Sequence, residues 1–143
     1  RKKSSGTDVT ATGGGVQGGD QGMSARAQAI QQAQSRLQTV YFGYDSFDLG
    51  LDAQGTLREN ANVIEAYPDV RIQIQGHCDE RGSEEYNLSL GDKRARAIMD
   101  YLVNLGVSPS RLTTITFGEE RPVDPGHNES AWRLSRRGEF VAE

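Results

Sequence analysis

Apolar residues are nearly absent from the start of this 143-residue chain and then return in segments with distinct periods. Residues 1–22 are dominated by Gly, Ser, Thr and Gln, with runs at Gly13, Gly14, Gly15 and at Gly18, Gly19. Such a stretch buries too little apolar area to offset the entropy of ordering it, so a flexible tether is expected. A phosphate-binding loop is excluded, because no strand pattern precedes these glycines and no Lys-Ser/Thr follows them. Over residues 23–37 strong helix formers (Ala25, Ala27, Ala29, Gln31, Gln32, Ala33, Arg36) follow Ser24, a candidate N-cap. Apolar positions there are few, which predicts a short helix lying on the surface.

Beyond this point the pattern is that of a folded domain. Thr39, Val40, Tyr41 and Phe42 are β-branched or aromatic and predict a strand, with residues 43–50 as the turn after it. Leu57, Ala61, Val63 and Ile64 recur at three- and four-residue spacing and predict an amphipathic helix over residues 51–66, stopped by Pro68. Val70, Ile72 and Ile74 alternate with Arg71, Gln73 and Gln75, the mark of a half-buried strand. Ser89, with Asp92 three residues on, is the expected N-cap of the next helix. That helix places Ala95, Ile98, Leu102 and Leu105 on one face and ends at Gly106. A third strand is expected over residues 112–117, a loop with Pro122 and Pro125 over 118–127, a short helix over 129–134 and a last strand over 138–141. The order β-α-β-α-β-(α)-β predicts an α/β two-layer sandwich, with helices on one face of a mixed four-stranded sheet.

Composition narrows the chemistry. Twenty acidic and sixteen basic residues leave a formal charge of -4, which argues against a protein that neutralises nucleic-acid phosphates or adheres to an anionic membrane. The single cysteine, Cys78, excludes an internal disulfide. No apolar run approaches the roughly 18 residues that span a bilayer, and any export signal or lipid attachment site is expected upstream of Arg1. His77 and Cys78 are neighbours and would point to opposite faces of a strand, so they cannot share a metal ion. There is no CxxC or HExxH spacing and no GxSxG elbow. No catalytic residue, metal ligand or cofactor site is therefore expected.

The stretch over residues 76–97, GHCDERGSEEYNLSLGDKRARA, is the most informative. Asp79 falls where the second strand gives out, and Arg94 about one turn into the expected helix. Two arrangements fit these residues. They could form an intramolecular salt bridge or loop cap. Alternatively they could face a shared cleft, the guanidinium fork holding a ligand carboxylate and Asp79 its ammonium.

At this stretch the sequence resembles the OmpA-like peptidoglycan-binding domains, whose signature runs roughly GHxDxxGxxxYNxxLxxxRAxxVxxYL. Gly76, His77, Asp79, Gly82, Tyr86, Asn87, Leu90, Arg94, Ala95, Tyr101 and Leu102 match it, and Ile98 stands for the usual valine. The resemblance covers residues 38–143, leaving 1–22 as tether and 23–37 as an N-terminal helix. Within the family it is similar to the peptidoglycan-associated lipoprotein (Pal) branch, through VYFGYDSFDL from Val40, HCDERG from His77 and FGEERPVDPGHNESAW from Phe117.

The resemblance implies non-covalent binding of meso-diaminopimelate in the peptide stem of peptidoglycan, gripped by Asp79 and Arg94. Asp45 and Ser46 in the first loop are implied as further contacts, largely through backbone groups. Tyr86, Asn87 and Leu90 would shape the cleft, with Arg136 as an extra contact. It also implies anchorage in the Gram-negative outer membrane through an N-terminal lipidated cysteine ahead of this chain. TolB and the Tol–Pal system are the implied partners, with roles in envelope integrity and division. The sequence departs from the pattern at Cys78, usually Ala or Thr and expected to be a buried filler, and at Gly43, more often Asp. Two other readings stay open: an adaptor that docks on a periplasmic partner with wall binding lost or weakened, and a motor-stator or porin-associated version of the same domain.

Overall fold

The computed structural model describes residues 23–143; the tether expected over residues 1–22 lies outside the described residues. Among the described residues four strands, β1 (Val40–Tyr41), β2 (Ile72–His77), β3 (Leu112–Gly118) and β4 (Arg137–Ala142), form one mixed sheet in the order β1-β4-β2-β3. Strand β4 runs antiparallel to β1 and β2, and β2 runs parallel to β3. A parallel pair needs a long crossover. Helix α3 (Glu84–Asn104) supplies it, followed by a 3₁₀ turn at Pro109–Arg111. Helix α2 (Leu51–Ala66) joins β1 to β2, and α4 (Glu129–Ser135) leads into β4. The architecture is the expected α/β sandwich.

Strand periodicity assigns the faces. Ile72, Ile74 and Gly76 of β2 lie level with Ala142, Phe140 and Gly138 of β4, and with Leu112, Thr114 and Thr116 of β3. Onto this surface α2 and α3 bring Leu57, Ile64, Ile98 and Leu102, each no more than 1% exposed. Burying side chains of this size stabilises by about 1.5–3 kcal/mol each. Helix α1 (Ala25–Arg36) buries only Ala33 and is N-capped by Ser24, whose Oγ accepts from the Ala27 N–H at 3.0 Å. It protects the sheet in another way. Strand β1 pairs with Gly138 and Arg137, so among the described residues the outer edge of β4 beyond them lacks a partner strand. The Gln34 amide stands in for one, donating to Phe140 O at 2.9 Å and accepting from Ala142 N at 2.8 Å.

Helix α3 crosses β2 so closely that a Cβ at Gly76 would lie 1.7 Å from Gly91 O. Only a glycine pair permits this approach. It sets the first turns of α3 directly beside the end of β2.

The structure corrects several expectations. The strand over residues 39–42 shortens to Val40–Tyr41, although the Phe42 N–H still donates to Arg136 O at 3.0 Å. The N-cap of α3 is Ser83, not Ser89. Ser83 Oγ accepts from the Tyr86 N–H at 3.0 Å, and Glu84 and Glu85 complement the positive end of the helix dipole. Arg94 therefore lies roughly three turns into α3 rather than one. Leu105, assigned to the buried face, is 40% exposed because it sits at the C-cap. On the far face of β2, alternation gives way to burial at Gln75 and His77, where His77 stacks on Phe117 with ring centroids 5.5 Å apart.

Candidate binding pocket

Past the carboxyl end of β2 the chain leaves the sheet at Cys78 and Asp79, turns at Gly82 (φ +99°) and enters α3. The loop after β1 folds over this exit, with Asp45 in the left-handed region (φ +53°), which short polar side chains tolerate. Between them lies a pocket of about 140 Å³, lined by Tyr44, Asp45, Cys78, Asp79, Arg81, Gly82, Tyr86, Asn87, Leu90 and Arg94. At about 30 Å³ per water, that volume suits a small polar end group rather than an extended polymer.

The structure brings six of the sequence-assigned residues onto one wall: Asp79, Arg94, Asp45, Tyr86, Asn87 and Leu90. Asn87 and Leu90 are buried at its base, and Asn87 Nδ2 donates to Asp79 O (3.2 Å) and Glu119 Oε1 (2.8 Å). Tyr86 is half-exposed at the rim and donates its hydroxyl to Asp45 Oδ1. Two assigned residues stand outside. Ser46 turns its Oγ to the Asp48 N–H and contributes its carbonyl, while Arg136 approaches Asp79 Oδ2 only to 3.7 Å.

Arg94 is fully buried and spans both loops. Its Nε donates to Ser46 O (2.8 Å), Nη1 to His77 O (2.9 Å) and Nη2 to Gly43 O (3.0 Å). A guanidinium carries five N–H groups; three are spent on these carbonyls, and the head also lies against the Cys78 side chain. Burial lowers its pKa from the ordinary value. The salt bridge to Asp79 that the sequence left open is not formed. Asp79 is instead held by Arg81, through the backbone N–H (3.0 Å) and Nε (3.2 Å) on Oδ1 and Nη2 (2.8 Å) on Oδ2. Burial pushes the Asp79 carboxyl up, but the Arg81 hydrogen bonds and the charges of Arg81 and Arg136 outweigh it and hold the pKa below the usual value. Cys78 is a buried filler, its thiol pushed up to about 11 by burial.

Sequence reasoning missed Arg81, Tyr44 and Trp132. The Arg81 guanidinium lies between the Tyr44 and Trp132 rings, 4.0 Å and 4.1 Å from their centroids. Trp132 Nε1 is fixed by Glu80 Oε2 at 2.9 Å, which also binds His127 Nδ1 at 2.6 Å. Two signals were present: a basic residue two positions after Asp79, and the chain's only tryptophan in the short helix before β4.

Known proteins resemble this chain in sequence and fold. Residues 41–136 match the model of the OmpA family. The peptidoglycan-associated lipoprotein of Pseudomonas aeruginosa is 40% identical over 139 residues, which cover 91% of this chain and 82% of that protein. The crystal structure of the peptidoglycan-associated lipoprotein from Burkholderia pseudomallei superposes with a TM-score of 0.71 at 40% identity, covering 74% of this chain and 90% of that one. The C-terminal domain of Helicobacter pylori MotB matches with a TM-score of 0.70 at 22% identity, over 74% and 84% of the two chains, a likeness of fold alone. On the family match and the identity to these relatives, the chain belongs to the OmpA family.

Proposed function

We propose that this chain is a non-catalytic module that binds peptidoglycan through the meso-diaminopimelate of its peptide stem. The observation that carries the reading is the presence of Asp79 and Arg94 on the wall of one small pocket without an ion pair between them. A zwitterionic end group offers an ammonium to the carboxylate and a carboxylate to the guanidinium. The names of the relatives support the wall as the source of that group. The carbonyls of Gly43 and Ser46, held by Arg94, keep the first loop in place as the pocket's roof.

The same kinship supports the wider assignment. Residues 38–143 form the wall-binding unit and 23–37 its N-terminal helix, with 1–22 the tether to a lipid anchor in the outer membrane of a Gram-negative cell. TolB and the other Tol–Pal components are the proposed protein partners, and envelope integrity and cell division the processes served. Co-sedimentation with purified sacculi tests the ligand. The chain is expected to pellet with diaminopimelate-type sacculi and to remain in solution with lysine-type sacculi. Equal pelleting with both would refute the assignment of the ligand.

A further inference from the structure

The carboxylate in the pocket already has a cation, and the chain itself supplies it. Arg81 meets both oxygens of Asp79 with three hydrogen bonds of 2.8–3.2 Å, and Arg136 stands 3.7 Å from Oδ2. A carboxylate offers about four lone-pair sites, so an incoming ammonium finds Asp79 nearly saturated. The Arg81 head is also gripped by the Tyr44 and Trp132 rings, a slot whose two π-faces hold a cation. A second anion stands within reach: Glu129 Oε1 is 3.8 Å from Arg81 Nη2.

We propose that Arg81 is a built-in competitor for the pocket, an intramolecular cation that the ammonium of the ligand must displace from Asp79. The inference rests on the zwitterionic-ligand reading above. On displacement, the guanidinium stays between the aromatic rings and exchanges Asp79 for Glu129, so no bare charge is left in the site. This accounts for selection of a zwitterion. Asp45, Asp79 and Glu129 face Arg81, Arg94 and Arg136 around the pocket. A lone ammonium entering this balanced set leaves an excess cation, whereas an ammonium that brings its own carboxylate does not.

Two measurements separate this inference from the reading beneath it. The first needs no wall ligand: methylguanidinium is titrated into the wild-type chain and Arg81→Ala while the fluorescence of Trp132, the only tryptophan, is followed. Saturable quenching is expected in Arg81→Ala, not in the wild type, and is lost in Arg81→Ala with Asp79→Asn. Equal responses of the wild type and Arg81→Ala overturn the inference. The second titrates a diaminopimelate muropeptide into both proteins, with folding checked by circular dichroism. Removal of the competitor is expected to tighten binding about fivefold, and methylguanidinium to reverse the gain. Muropeptide binding that is unchanged or weaker in Arg81→Ala overturns the competitor role and leaves the wall reading standing. If neither protein binds muropeptide while the variant binds methylguanidinium, the wall reading fails and Arg81 as the chain's own occupant of the cation site survives.

Discussion

Replacing Arg94 with alanine is expected to damage the fold as well as binding, and the size of the damage follows from its contacts. The side chain is 1% exposed and donates to the carbonyls of Ser46, His77 and Gly43. Hydrogen bonds from charged donors contribute about 1.5–3 kcal/mol each. Gly43 lies in an exposed loop and Ser46 is part-exposed, so their carbonyls regain water; the His77 carbonyl does not. Packing against Phe42, whose ring centroid is 5.2 Å from the guanidinium carbon, is lost too. The net cost of Arg94→Ala is about 3–5 kcal/mol, in the range for disrupting a buried charged group. Arg94→Lys keeps a cation but can satisfy only part of the fork, and is expected to cost about half as much. Urea unfolding of the three proteins measures the differences. Hydrogen exchange at the Ser46 amide, which bonds Gly43 O at 3.3 Å, reports on the loop. A destabilisation below about 1 kcal/mol, with the Ser46 amide protected as in the wild type, would contradict the bridging role. Loss of binding in Arg94→Ala therefore does not by itself prove a ligand contact, and Asp79→Asn is the cleaner variant.

Three further outcomes are expected. Gly76→Ala drives a methyl to within 1.7 Å of Gly91 O and should lower Tm by about 10 °C or more, whereas Gly55→Ala inside α2, with only the Arg58 side-chain end at 3.8 Å, should hold or raise it; calorimetry that ranks them otherwise refutes the close helix–strand contact. His77 is buried, and desolvation first, then Arg137, lower its pKa from 6.5 to about 4. The unfolded chain therefore takes up a proton that the folded chain refuses, so the His77 contribution lowers stability between pH 6.5 and pH 4 by up to roughly 3 kcal/mol and is constant below; His77→Gln should show a shallower decline in urea titrations over that window. Cys78, buried and with its thiol pushed up to about 11, should resist iodoacetamide at neutral pH and react once urea unfolds the chain, as followed by mass spectrometry.

The sequence made the core legible and the site only in part. Helix α2 could be read to the residue because Leu57, Ala61 and Ile64 announce one buried face and Pro68 ends it. The start of α3 could not. Its first turns carry Glu84, Glu85, Tyr86 and Asn87 toward solvent and the pocket rather than the core, so no apolar period marks them. The signature placed Asp79 and Arg94 in one cleft. It could not show that Arg94 spends three donors on backbone carbonyls, since those carbonyls come from distant turns. Nor could local pattern reveal Arg81, whose partners Tyr44 and Trp132 lie on opposite sides of it in sequence and meet only in the fold.

A small charged pocket that reads the zwitterionic end of a peptide stem must lose affinity when one charge of that end is missing. Isothermal titration of the chain with a diaminopimelate muropeptide, beside a lysine-containing stem that lacks the terminal carboxylate, tests it most directly. Saturable binding of the first stem is expected, with at least tenfold weaker binding of the second, about 1.4 kcal/mol apart or more, and loss of the preference in Asp79→Asn. Equal affinity for the two stems, or a preference that survives Asp79→Asn in a folded protein, contradicts it.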